Sequence, residues 1–421
     1  METWVPGPSH HYPPLYALYL VPYLALLGFT PLAPQLAALV AGLALLIVYG
    51  RATRALFGRG KAVWFVALLA LDPVLVATTG TGYAENQVTF LFVLTIAAIL
   101  KSLREPRWIL VAGLTAGLAY LTKSSVGPFF LVAGLAGFGW RFHFERWAVF
   151  RDRWYLAAIG LFGSLAGVWG LRNLSLFWDG TPGALLTAWQ TGALFSWATA
   201  SAFARPLDLL WILAVRAPFF MGLFLVVAGP WWREFRRHRF LGDEESSALA
   251  LAVGLTYVLA WLISGVLWVI ERSVVFWADM SRYVVFANPV VWWIAARHAD
   301  PNSKSFRRRF AAAAAALLLL NVVAFLTPAG GVFEAYGDLR DRAEKGDVIA
   351  LDGVPKYEAA IHLAGTGVVL EAYRNGTGAE YVLTVNVTRE YDGYRLVDVY
   401  GESNDTVVIR AWRAALWARA T

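Results

Sequence analysis

The chain contains no cysteine in its 421 residues, which excludes a disulfide framework, a thiolate metal site and a thiol nucleophile. Any chemistry must use carboxylates, histidines, cations or hydroxyls. Charge is also scarce: 15% of residues are charged and 58% are hydrophobic, for a mean hydropathy of +0.54. A soluble globular protein of this length is far less apolar, so the composition reads as a polytopic membrane protein. The N-terminus lacks a basic n-region and a small-residue cleavage site, so no cleavable signal peptide is read there. No internal repeat is evident, and Ala311 to Ala316 is low in complexity but compatible with a helix. The net charge of +7 does not point to a nucleic-acid partner, because the cations fall in short clusters between apolar runs.

A spanning helix needs about 20 apolar residues. On that criterion spans are expected near residues 34–50, 62–79, 87–103, 108–122, 128–140, 155–171, 206–231, 247–270, 283–296 and 310–327. Cations concentrate in alternate loops: Arg51, Arg54, Arg59 and Lys61; Lys101, Arg104 and Arg107; Arg141, Arg146, Arg151 and Arg153; Arg233, Arg236, Arg237 and Arg239; and Arg297, Lys304 and Arg307 to Arg309. The remaining loops hold only Lys123, Arg172, Arg205, Arg272 and Arg282. The rich set is therefore assigned to the cytoplasm and the poor set to the outside. Pro34 then sits at the outer surface. The tyrosine-rich segment before it, Leu15 to Phe29, is too short to span and reads as an interfacial helix, which places the N-terminus outside.

Beyond Thr327 the composition changes. From about Gly330 charge rises and β-branched runs appear at residues 348–351, 368–370, 381–388, 394–399 and 406–412, separated by turn signals such as Asn375-Gly376 and Asp392-Gly393. Residues 357–363 suit a helix. The expected architecture is mainly α: a transmembrane bundle of about 10 spans plus an interfacial helix, followed by a small extracytoplasmic α/β domain. Its units are an outer-surface segment at 1–33, a membrane domain at 34–328 and the α/β domain at 329–421. Glycosylation sequons begin at Asn375, Asn386 and Asn404.

Polar residues within apolar sequence collect on the assigned outer side: Ser9 to Tyr12, Thr81 to Asn86, Thr122 to Ser125, Arg172-Asn173 with Trp178 to Pro182, and Arg282-Tyr283. One acid, several cations and aromatics at a shared depth suit an anionic lipid headgroup with a polar substituent. Glu85 reads either as a solvated carboxylate at a helix start, or as a base for a hydroxyl or a ligand for a hard cation. Lys123, Arg172 and Arg282 read either as snorkelling anchors or as phosphate binders, arginine as a fork and lysine as a point charge. The adjacent His10 and His11 define no closed metal site; Glu85 and His11 are the residues that could hold a divalent cation. Arg216, about 15 Å into its span by helical rise, is an ionisable group at mid-membrane. Asp72 is its expected structural partner.

Taken in order, His11-Tyr12-Pro13-Pro14-Leu15-Tyr16, Tyr83-Ala84-Glu85-Asn86, Ala112 to Lys123, Trp169-Gly170-Leu171-Arg172-Asn173 with Gly180-Thr181-Pro182, and Arg282-Tyr283 resemble the membrane glycosyltransferases of the GT-C superfamily. The similarity is to the protein mannosyltransferase and aminoarabinose transferase branch, and it runs from about His10 to Ala296. The resemblance implies transfer of a hexosyl or pentosyl group from a polyprenyl (dolichyl) monophosphate to a glycan, lipid or protein acceptor on the outer face. It places the PPLY-like segment in a first outer loop. It makes Glu85 catalytic, with Lys123 and Arg172 on the lipid phosphate and His10, His11, Tyr12, Tyr83, Asn86, Arg282 and Tyr283 lining the substrate site. The expected partners are thus the lipid-linked sugar, its acceptor and membrane lipids. The family places a helix and an acidic residue before this region, whereas here Glu2 is the only acid before Asp72. A first helix and the first half of the outer loop are therefore expected to be missing, and a non-catalytic binder or transporter of lipid-linked sugar is the alternative.

Overall fold

The computed structural model describes residues 14–28, 30, 32–82, 84–123, 146–177, 285–326, 331–352, 359, 363, 366–373, 378–384, 390–400 and 414–420. The expected spans at 128–140, 206–231 and 247–270, the three sequons, residues 406–412 and Arg216 lie outside them.

Apolar sequence forms helices here because only a helix satisfies its own backbone where water is absent. The first, α1 (Pro14–Leu27), has no buried residue, and Leu18, Val21 and Leu26 are exposed. At 14 residues it covers about 21 Å, short of the hydrocarbon thickness. α2 (Leu32–Phe57) and the stretch Arg153–Arg172 of a later helix are long and apolar enough to cross a membrane.

The span expected at 62–79 is broken. α3 (Arg59–Ala70) and α4 (Pro73–Thr81) meet at Leu71 and Asp72 with a bend of 55°. Pro73 cannot supply the backbone donor a continuous helix needs. Asp72 starts the second half as its N-cap, with Oδ1 accepting from the Val74 and Leu75 backbone N–H groups.

Four more helices follow among the described residues: α5 (Glu85–Ser102), α6 (Ile109–Thr122), α7 (Arg153–Phe177) and α8 (Asn288–His298). α9 (Lys304–Leu326) comes after them. Two asparagines from the last pair close the break. Asn288 Nδ2 donates to Asp72 Oδ2 at 2.6 Å, and Asn321 Nδ2 donates to the Leu71 carbonyl at 2.9 Å. The expected partner of Asp72 was Arg216; among the described residues a neutral amide and two backbone donors hold this carboxylate.

Side-chain contacts fix the helix directions. α5 and α6 are antiparallel, since Glu85 meets Lys123 and Thr95 Oγ1 meets Thr115 Oγ1 at 2.8 Å. α6 and α7 run the same way, with Gly113 against Ala158 and Gly117 against Leu165. A Cβ on Gly113 would lie 2.5 Å from the Ala158 carbonyl oxygen, so the missing side chain is what lets the two backbones touch. At the cation-rich end Lys61 Nζ donates to the Arg297 carbonyl at 3.0 Å. The core beneath is aromatic: Tyr49 stacks on Trp293, whose Nε1 donates to Thr53 Oγ1 at 2.7 Å.

The C-terminal part is a mixed sheet in the order β2-β1-β3-β5-β4. Its strands are β1 (Val348–Asp352), β2 (Val369–Ala372), β3 (Tyr381–Thr384), β4 (Tyr394–Tyr400) and β5 (Ala414–Arg419). β1 is parallel to both β2 and β3, while β5 is antiparallel to β3 and β4. α10 (Gly331–Arg342) covers one face through Ala335, Tyr336 and Leu339. Tyr391 and Trp417 pack on the other. Four strands fall where alternating β-branched residues place them. The fifth occupies Ala414–Arg419, outside every expected run.

Candidate active site

The end of the helices remote from the cation clusters is organised by the turn between α4 and α5. Gly82 ends α4 in the left-handed region, at φ 71°, and a Cβ there would lie 2.8 Å from the Pro34 carbonyl carbon. Only glycine lets the turn settle on the start of α2. Tyr16 of α1 donates its hydroxyl to the Gly82 carbonyl, and Tyr19 donates to the Ala37 carbonyl at 3.0 Å. The short tyrosine helix is thereby tied beside the turn that delivers Glu85.

Glu85 is the first residue of α5, where the helix dipole favours a carboxylate. Its side chain is 3% exposed and ion-paired with Lys123, itself 13% exposed, just past the last residue of α6. A carboxylate this enclosed is not a solvated loop acid. Burial strengthens its attraction to the ammonium and makes either charge costly without the other.

Asn86 does different work from its neighbour. Its Nδ2 donates to the Ala38 carbonyl at 3.1 Å and to Thr79 Oγ1 at 2.6 Å, while Oδ1 accepts from Thr78 Oγ1 at 3.0 Å. The amide is engaged on both sides by α2 and α4, so among the described residues it holds helices together. This residue, expected as a substrate contact, is 1% exposed.

Arg172 lies in the last two turns of α7, with its guanidinium over the Trp169 ring, 4.6 Å from the centroid. Such a stack engages the guanidinium face and orients its in-plane donors sideways. Trp169 packs with Tyr120 and Ala166 into a small cluster between α6 and α7. Since these helices are parallel, they bring Lys123 and Arg172 to the same end of the bundle. His10, His11, Tyr12, Tyr83, Arg282 and Tyr283 lie outside the described residues. Among the described residues no group of three or more His, Cys, Asp or Glu gathers as a metal would require, and Glu85 faces an ammonium.

The arrangement defines a class: apolar helices of membrane-spanning character with one buried acid, paired to a lysine, and an arginine at a single end. Residues 11–170 match the family model for dolichyl-phosphate-mannose-protein mannosyltransferase, so this part of the chain is similar to that family. The crystal structure of ArnT from Cupriavidus metallidurans in the apo state aligns at 13% identity and a TM-score of 0.43, over 99% of this chain and 90% of that one. ArnT from the same organism bound to undecaprenyl phosphate aligns at 13% identity and a TM-score of 0.40, over 98% of this chain and 88% of that one. No curated protein matches the chain.

Proposed function

We propose that the protein is an integral membrane glycosyltransferase that moves a sugar from a polyprenyl (dolichyl) phosphate to an acceptor at the outer face. The observation that carries this reading is the match of residues 11–170 to the mannosyltransferase family model, with the buried Glu85 and Lys123 inside that stretch. In the reaction the acceptor hydroxyl oxygen bonds to the sugar C1 as the C1–O bond to phosphate breaks. The departing phosphate keeps that electron pair, and Glu85 takes the acceptor's proton. Lys123 and Arg172 stabilise the charge that builds on the phosphate. The positive-inside bias puts this end of the helices, and the sheet domain after α9, outside the cytoplasm.

The pairing of Glu85 with Lys123 also favours a second reading, in which the chain binds lipid-linked sugar without transferring it, because a carboxylate held by an ammonium is a poor base. One experiment separates the two. Membranes containing the protein are given a radiolabelled polyprenyl-phosphate sugar, and transfer is followed for wild type, Glu85→Gln and Arg172→Ala. Loss of a base costs about 10²–10⁴ in rate, and loss of a charge-stabilising donor about 10²–10³. Transfer unchanged in both variants sinks the site assignment, and binding without transfer by wild type selects the second reading.

A further inference from the structure

Two polar atoms in the membrane part sit in the same small cluster without a partner among the described residues: the Tyr120 hydroxyl and the Trp169 Nε1–H. Both side chains are more than nine-tenths buried, at 4% and 8% exposure. A buried polar group left unpaired costs stability, and native chains keep few of them without a reason. Their position supplies one. Tyr120 lies three residues before Lys123 and Trp169 three before Arg172, so each is about 4.5 Å deeper along its helix than a cation. α6 and α7 are parallel with Gly113 against Ala158, so Trp169 comes level with the end of α6 at Lys123, Tyr120 lies about one turn deeper and Arg172 about one turn nearer the helix end. Both neutral groups can donate a hydrogen bond, and the indole N–H can only donate. Two neutral donors in one cluster beside two cations are the chemistry of an oxyanion site, and their place within the apolar helices suits an anion carried by a lipid.

We propose that Tyr120 and Trp169 are donor-binding residues that hydrogen-bond the phosphate oxygens of a membrane-anchored phosphate monoester, alongside the cations Lys123 and Arg172. This rests on the proposed glycosyltransferase reading for the identity of the lipid, but not for the existence of the site.

The test uses Tyr120→Phe and Trp169→Phe in the full chain in nanodiscs, with undecaprenyl phosphate as the binding probe and inorganic phosphate as the comparison. Trp169→Phe removes the N–H and keeps a ring under Arg172. If the two polar atoms were only packing defects, removing them would leave binding untouched and the melting temperature equal or higher. The expected result is an equal or higher melting temperature for Tyr120→Phe, together with dissociation constants for undecaprenyl phosphate raised about ten- to a hundredfold in both variants, the range for a hydrogen bond to a charged group. Wild-type affinity in both variants overturns the proposal, even where wild type transfers sugar. Weakened lipid binding in a protein that transfers nothing retains the site and removes the enzymatic reading instead. Inorganic phosphate binding as tightly as the lipid in wild type overturns the lipid assignment.

Discussion

Replacing Lys123 with methionine removes the ammonium but keeps most of the side-chain volume, leaving Glu85 as a carboxylate 3% exposed with its cation gone. Breaking a buried pair from one side costs about 3–5 kcal/mol, because the remaining charge stays desolvated. Glu85→Gln is milder. It leaves Lys123, which is 13% exposed and has a flexible stem that can carry the ammonium toward water, so the loss is that of a charged hydrogen bond, about 1.5–3 kcal/mol. The double variant Glu85→Gln/Lys123→Met removes both charges of the pair, and replacement of a whole buried pair is often near neutral. Thermal unfolding in nanodiscs should therefore rank Lys123→Met lowest, Glu85→Gln next and the double variant closest to wild type. Sugar transfer should be lost in all three, so the double variant recovers stability without recovering activity. A Lys123→Met protein as stable as wild type, or a double variant as unstable as the two losses added, would refute the buried-pair reasoning.

Gly113→Ala should destabilise by about 1–3 kcal/mol and slow transfer by as much as 10²-fold through displacement of the helix ends, because its Cβ would meet the Ala158 oxygen at 2.5 Å. Gly163→Ala on α7, with nothing within 4 Å, should gain about 0.5–1 kcal/mol from helix propensity; equal melting temperatures for the two would count against the contact. Asp72→Ala should cost about 1 kcal/mol for the lost cap and about 1.5–3 kcal/mol for the charged hydrogen bond lost with Asn288. Asp72→Asn, which can still cap, should cost clearly less in the same melts, whereas equal losses would point to a charged partner.

The short tyrosine helix, the helices around Glu85 and Lys123, and four of five strands were legible because length, charge bias and β-branching are properties of single segments. The break at Leu71 and Asp72 was legible in part, since Pro73 marks a kink, but the bonds from Asn288 and Asn321 that close it, more than 200 residues away, carry no sequence signal. Asparagine carries no charge, so a search for the partner of Asp72 by ionisable groups settled on Arg216. Asn86 stood in a motif beside Glu85 and looked like part of the same site, but adjacent residues on a helix face about 100° apart, and this one turns toward α2. β5 is rich in alanine and leucine rather than β-branched residues. Its place comes from pairing on both sides, with β3 and β4. The unpaired Tyr120 and Trp169 atoms have no sequence signature, since an absent partner is visible only in three dimensions.

The parallel packing of α6 and α7 also has an electrostatic consequence. Two helices running the same way bring two carbonyl-rich ends to one place, each equivalent to about half a negative charge. With the Glu85 carboxylate they offset most of the charge of Lys123 and Arg172, even with the positive start of α5 beside Glu85, so the described part of the site carries little net charge. A neutral site exerts little long-range pull on an anion, and salt should change donor affinity only weakly. Capture would then depend on the lipid already being dissolved in the bilayer and on directional donors at short range. On the proposed reading the membrane, rather than a field of positive charge, concentrates the substrate.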